Sequence, residues 1–177
     1  MDPVSLLVLL AVGVGVWFFF FKGSRMRPPE AVRGLLNGLG GDYKVISGII
    51  RMRGEGMDRI DHAVVSRFGV FIILEVTEPG ALICRINSRE WPRKGLGKEM
   101  ALHNPVWRNR KRINSLEEIL PGVPLFNLVV IVNARLQGER GPEVVLFDGL
   151  LSAIRKNQNP VLSAEQVEET CSKLNNL

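Results

Sequence analysis

The stretch from Ile60 to Gly80, IDHAVVSRFGVFIILEVTEPG, leaves little freedom in how it folds. Two runs rich in Val, Ile and Phe flank the short turn Ser66-Arg67-Phe68-Gly69, the signature of a β-hairpin. A hairpin this apolar belongs in a core, so its polar residues need a reason. Asp61 and His62 open the first strand, and Glu75 lies near the end of the second. An acid in each of two adjacent core strands is the usual beginning of a divalent-metal site. The plainer alternative is that both acids sit at strand ends and reach solvent.

The 177 residues allow one domain with a sizeable core and an accessory segment. Residues 4–21 carry no charge, and all 23 Lys and Arg follow them. A run of about 18 apolar residues gives roughly 27 Å of helix, enough to cross a hydrocarbon core. A cleaved signal peptide would want basic residues before the run and small residues after it. Here FFFF-K follows, so the run reads as a signal anchor. Lys22, Arg25 and Arg27 directly after it put the C-terminal part on the cytoplasmic side of the inner membrane by the positive-inside rule. The division is thus 1–27 for anchor and basic flank and 28–177 for the domain. The formal net charge of +5 fits an anionic partner, nucleic acid or lipid headgroups. Cys84 and Cys171 have no metal-binding spacing and read as reduced structural thiols.

Val32, Leu35, Leu36 and Leu39 predict a helix that stops at Gly40-Gly41, and 42–52 predicts a strand. After the hairpin, Pro79-Gly80 is a turn and 81–86 a short strand. The segment 87–103 is polar and irregular and reads as a surface loop. Asn104-Pro105 marks a helix start, with Asn as N-cap and Pro at N1, and Pro121-Gly122 a stop. Arg108, Arg110, Lys111 and Arg112 crowd the first half of that helix, at the positive end of its dipole. The plain reading is a solvated face; the functional one is a phosphate-binding surface. Buried strands are expected at 126–132 and 143–147, a short helix at 149–156, and a last helix behind the capping box Ser163-Ala164-Glu165-Gln166. The order implies an α/β layer fold, a restriction-endonuclease-like mixed sheet with a central hairpin and helices on its faces.

The region from about Glu30 to Arg135 resembles the nuclease-related domain, NERD, a module of the PD-(D/E)XK nuclease superfamily. The resemblance is carried by IDHAVVSRFGVFII (60–73), Gly80, Trp91, NPVWRN (104–109) and VVIVNA (129–134). It implies a nuclease fold that uses Mg²⁺ or Mn²⁺, with Asp61 at the position of the metal-binding aspartate.

The departures from the family pattern bear on activity. Counted from Gly69, the usual Glu-x-Lys falls on Leu74 and Val76, the usual Gln of the helix motif is Arg108, and the first-helix acid is Glu30, one step out of register. Hydrolysis of this type needs carboxylates to hold the metal and a base to activate water. Glu75 restores a catalytic and metal-binding pair with Asp61 if it shares Asp61's face. A two-residue hairpin loop puts it on the opposite face, and a three-residue loop closing on Gly69 puts it beside Asp61. Two functions follow as expectations: a membrane-tethered metal-dependent nuclease using Asp61, Glu75 and Glu30, or an inactive module that binds nucleic acid or protein. Arg108, Arg110, Lys111 and Arg112 would carry phosphate affinity in the second. Contact of the same helix with anionic lipid is a further option. His62 and His103 lack a paired Ser or Cys motif, and His62 reads as a strand-face residue.

Overall fold

The computed structural model describes residues 26–53, 56–95 and 99–177. The apolar run 4–21, and the anchor read from it, lie outside the described residues. No helix among the described residues is long and apolar enough to cross a membrane. The described chain is a mixed α/β fold with two mixed sheets and four α-helices, an arrangement compatible with a nuclease-like fold.

The first sheet holds β1 (Tyr43–Arg53), β2 (Gly56–Ser66), β3 (Gly69–Val76), β7 (Leu125–Ile131) and β9 (Val144–Leu146), in that spatial order. β1, β2 and β3 pair antiparallel, whereas β3, β7 and β9 run parallel. Burial follows the apolar pattern of the hairpin: every residue of β3 but Glu75 is buried. A sheet covered on both faces needs such near-continuous apolar strands. One face packs on α2 (Pro105–Glu117) and α4 (Ala164–Asn175) through Ile72, Val65, Ile113, Leu116, Val167 and Leu174. The other packs on α1 (Ala31–Leu36) and α3 (Leu150–Arg155) through Phe71, Ile73, Leu36 and Ile154. Burying each of these side chains stabilises the fold by about 1.5–3 kcal/mol.

The segment 87–103 is not a loop. It forms β5 (Glu90–Lys94) and β6 (Glu99–His103), which join β4 (Gly80–Arg85) and β8 (Ala134–Glu139) in a second sheet of order β6-β5-β4-β8. One sheet was expected and two are present, because β3 and β7 do not stop at their ends. Their parallel ladder resumes as β4 beside β8, with a one-residue shift: Val76 faces Ile131, but Gly80 faces Ala134. The Val132 N–H donates to Val76 O (2.9 Å) and Asn133 Nδ2 to Thr77 O (3.1 Å) across the joint. A third core cluster spans it, with Leu74, Val76, Val129 and Ile131 from one sheet and Leu82, Cys84 and Trp91 from the other.

The NPVWRN motif fastens α2 to this framework. The Asn104 side chain accepts from the Val106 N–H (3.0 Å) as N-cap and donates to Ile86 O (3.3 Å) and Ser88 O (2.8 Å). Fully buried Asn109 donates to Ile72 O (2.8 Å) on β3 and to Asn127 Oδ1 (2.7 Å) and Leu128 O (3.2 Å) on β7. Buried Trp91 donates to Arg85 O (2.9 Å). Buried polar groups are paired as a rule, and here the donors of Asn109, though not its Oδ1, hold a helix against two parallel strands.

Candidate functional site

The hairpin turn is the two-residue kind: Ser66 faces Gly69, with Arg67-Phe68 between them. Gly69 has φ +120°, and a Cβ there would stand 2.6 Å from the Phe126 ring and 3.1 Å from Pro124 O. Simple alternation would then send Glu75 to the face opposite Asp61. It does not, because alternation breaks at Asp61. Gly48, on the neighbouring strand, has φ +70°, a left-handed conformation that favours glycine. Ile46 and Ile49 consequently pack on the same cluster although three residues apart, as do Ile60 and Ala63 on β2. Cross-strand pairing of β2 with β3 ends at His62 and Ile73, and Asp61 Oδ2 instead accepts from the Glu75 backbone N–H (3.1 Å).

This kink brings the candidate acids together. Asp61 and Glu75 line one cleft of about 380 Å³, with Glu30 just ahead of α1. Pro29, Arg33, Ser47, Gly48, Arg59, His62 and Thr77 complete it. Leu74 and Val76, the residues that counting places at the Glu and Lys positions, are fully buried in the third core cluster. Glu75 and Thr77 face the cleft in their stead.

Each carboxylate already has partners. Asp61 Oδ1 lies 3.6 Å from Arg59 Nε, and Oδ2 lies 3.8 Å from the Arg112 guanidinium. Glu75 Oε1 is 2.5 Å from Nε2 of the buried His62, and Nδ1 of the same ring is 2.7 Å from Ser47 Oγ. With Glu75 ionised, Nε2 donates to it, and in the neutral ring Nδ1 then accepts from the Ser47 hydroxyl. Sequence reasoning missed this Ser47–His62–Glu75 chain. Its signal is the β1/β2 register, which sets Ser47 opposite His62.

The basic residues of α2 divide. Arg112 points to Asp61, with Arg108 one turn before it, and both are half-buried. Arg110 turns away to Glu143 (3.0 Å) beside a different cleft, and Lys111 is exposed. Burial pushes the Arg112 guanidinium pKa below its ordinary value; Asp61 opposes that shift and Arg108 adds to it. Among the described residues, no group of three or more His, Cys, Asp or Glu side chains is arranged to hold a metal ion.

The model of the nuclease-related domain family matches residues 29–132. The match spans the hairpin, the second sheet up to β6, α2 and β7, more than half of the chain, and the chain belongs to that family. No curated protein and no solved structure matches it.

Proposed function

We propose that this member of the nuclease-related family binds the phosphodiester backbone of DNA or RNA at the Asp61 cleft without hydrolysing it. The observation that carries the reading is that both acids are already engaged from within the chain. Arg59 and Arg112 face Asp61, and His62 holds Glu75. A divalent ion between these carboxylates would have to displace a guanidinium and an imidazole, so the donor set does not suit a resident Mg²⁺. Among the described residues the cleft also has no lysine to orient or activate water; Thr77 takes that place. Arg33 and Arg59 on its walls supply the positive charge that phosphate affinity needs.

A second reading is favoured by one specific observation: Glu30, Asp61 and Glu75 share a single cleft. In that reading the three acids would hold Mg²⁺ or Mn²⁺, which supplies Lewis-acid chemistry at the phosphorus, and the chain is a metal-dependent nuclease. One experiment separates the two. The full chain is incubated with linear DNA and with single-stranded RNA in Mg²⁺ and then in Mn²⁺, beside Asp61→Ala. The expected result is binding that weakens with salt and no cleavage by either protein. Metal-dependent cleavage that Asp61→Ala abolishes would overturn the binding reading in favour of the enzyme.

The location proposed from the sequence is the cytoplasmic face of the inner membrane, through residues 4–21. Membrane fractionation of the full chain against a chain starting at Lys22 tests it. Equal recovery of both in the soluble fraction would sink the anchor.

A further inference from the structure

We infer that Arg108 and Arg112 form the seat of one phosphodiester group beside Asp61, and that this pair alone within the basic segment of α2 reads the backbone. The inference rests on the nucleic-acid reading above and names the residues that would carry it. Two guanidiniums one turn apart on a helix repel each other, and half-burial weakens the solvent that would screen them. Around Arg112 the charged neighbours are Arg108, Arg59, Asp61 and Asp58. Three cations thus meet two carboxylates, and Asp61 is shared between Arg59 and Arg112.

The hydrogen-bond inventory points the same way. Arg108 Nε and Arg112 Nη1 are buried and have no hydrogen-bond acceptor; Nη1 has only Asp61 Oδ2, at 3.8 Å, as a charge partner beyond hydrogen-bond distance. A buried donor left unpaired costs about 1–3 kcal/mol, more when it is charged. Two such donors on one face of one helix ask for an acceptor from outside the chain. A phosphodiester matches in charge, carrying one negative unit, and in geometry, since guanidinium N–H groups pair with its two free oxygens. Arg110 and Lys111 lack this setting: Arg110 is paired with Glu143 and Lys111 is exposed.

The test uses the full chain in zwitterionic detergent and a short single-stranded oligodeoxynucleotide, titrated over a range of salt. Arg108→Gln and Arg112→Gln are each expected to lower the slope of log K against log salt by about 1. Lys173→Gln, which removes a distant charge paired with Glu169, is expected to leave the slope unchanged. Slopes unaltered in the two arginine variants overturn the seat while the nucleic-acid reading stands, and so does an equal loss in Lys173→Gln. If the arginine variants fold poorly, the wild-type chain answers through its arginine ¹⁵Nε–¹Hε resonances. An Arg108 resonance that ignores the oligonucleotide overturns the seat. A resonance that shifts with inorganic phosphate, in a chain that binds no oligonucleotide, supports the seat and sinks the nucleic-acid reading. Phosphatidylglycerol vesicles bound in place of the oligonucleotide, and released by Arg108→Gln, overturn the inference in favour of a lipid headgroup.

Discussion

Arg59 and Arg112 both approach Asp61, but they do so in different solvents. The Arg59 side chain is 67% exposed and that of Arg112 16%. A screened surface pair contributes about 0–1 kcal/mol, whereas removing one member of a sheltered pair strands the other. Arg112→Ala is therefore expected to destabilise the fold by about 1–2 kcal/mol and Arg59→Ala by under about 0.5 kcal/mol. Urea midpoints measure both, and the opposite order would show that burial does not govern this site. Adding Asp61→Asn to Arg112→Ala should cost less than the two single losses together, because the stranded charge is then gone. A second test at this scale concerns the thiols. Burial pushes the Cys84 pKa up to about 11 and raises that of Cys171. At pH 8 both stay protonated, and iodoacetamide should label them only after urea unfolding. Because folding raises these values, their contribution to stability is complete below the ordinary thiol pKa. For Cys84 it is lost as pH rises toward and through about 11. The acids themselves were legible in the sequence, since Asp61, Glu75 and Glu30 stand out by residue type. Their partners were not: Ser47 and Arg112 reach the site through strand register and helix docking, which no local spacing encodes.

Among the elements, α2 shows how a motif that carries a family resemblance can serve architecture. Asn104 caps the helix and also ties it to Ile86 and Ser88 between β4 and β5. Ser163 caps α4 by a reciprocal capping box on the surface. Asn104→Ala should therefore cost about 2–3 kcal/mol, a cap plus buried carbonyls left unpaired, against about 1 kcal/mol for Ser163→Ala. Equal losses in thermal denaturation would reduce Asn104 to a cap alone. Glycine positions separate in the same way. Gly69→Ala meets the Phe126 ring and Pro124 O and should cost about 2–3 kcal/mol. Gly48→Ala meets no atom within 4 Å, so only its left-handed backbone resists, by about 1 kcal/mol. Both caps, both long helices and the hairpin strands were readable in the chain, since each carries a strong local pattern. The second sheet was not. In β5 only Trp91 is buried, β8 is mostly exposed, and Pro92 sits inside a strand. Strands with so little apolar alternation are set by neighbours that are distant in sequence.

For the molecule as a whole, the joint between the sheets decides whether there are one or two folding units. The connection from β3 to the parallel β7 runs through β4, β5, β6 and α2, so the second sheet is built into the crossover between two central strands. The β3/β7 ladder passes into β4/β8, and the third cluster draws side chains from both sides of the joint. Such continuity joins the two sheets through a ladder and a shared core cluster rather than through a flexible linker, the usual boundary between separable domains. The second sheet should therefore unfold with the first, in one cooperative transition. Trp91, fully buried in the second sheet, reports this directly once Trp17 and exposed Trp107 are changed to Phe. In that variant, urea unfolding followed by Trp91 fluorescence and by far-ultraviolet circular dichroism is expected to give one midpoint. A fluorescence midpoint at clearly lower urea would mean that the second sheet detaches while the hairpin and its flanking helices stay folded. The acid cleft would then outlast the loss of Trp91 packing, and NPVWRN would hold α2 to β3 and β7 without help from β4 and β5. Coincident curves instead make the cleft depend on the whole crossover, because Glu75 lies near the end of β3, the strand that runs into the joint, and Thr77 follows directly after it.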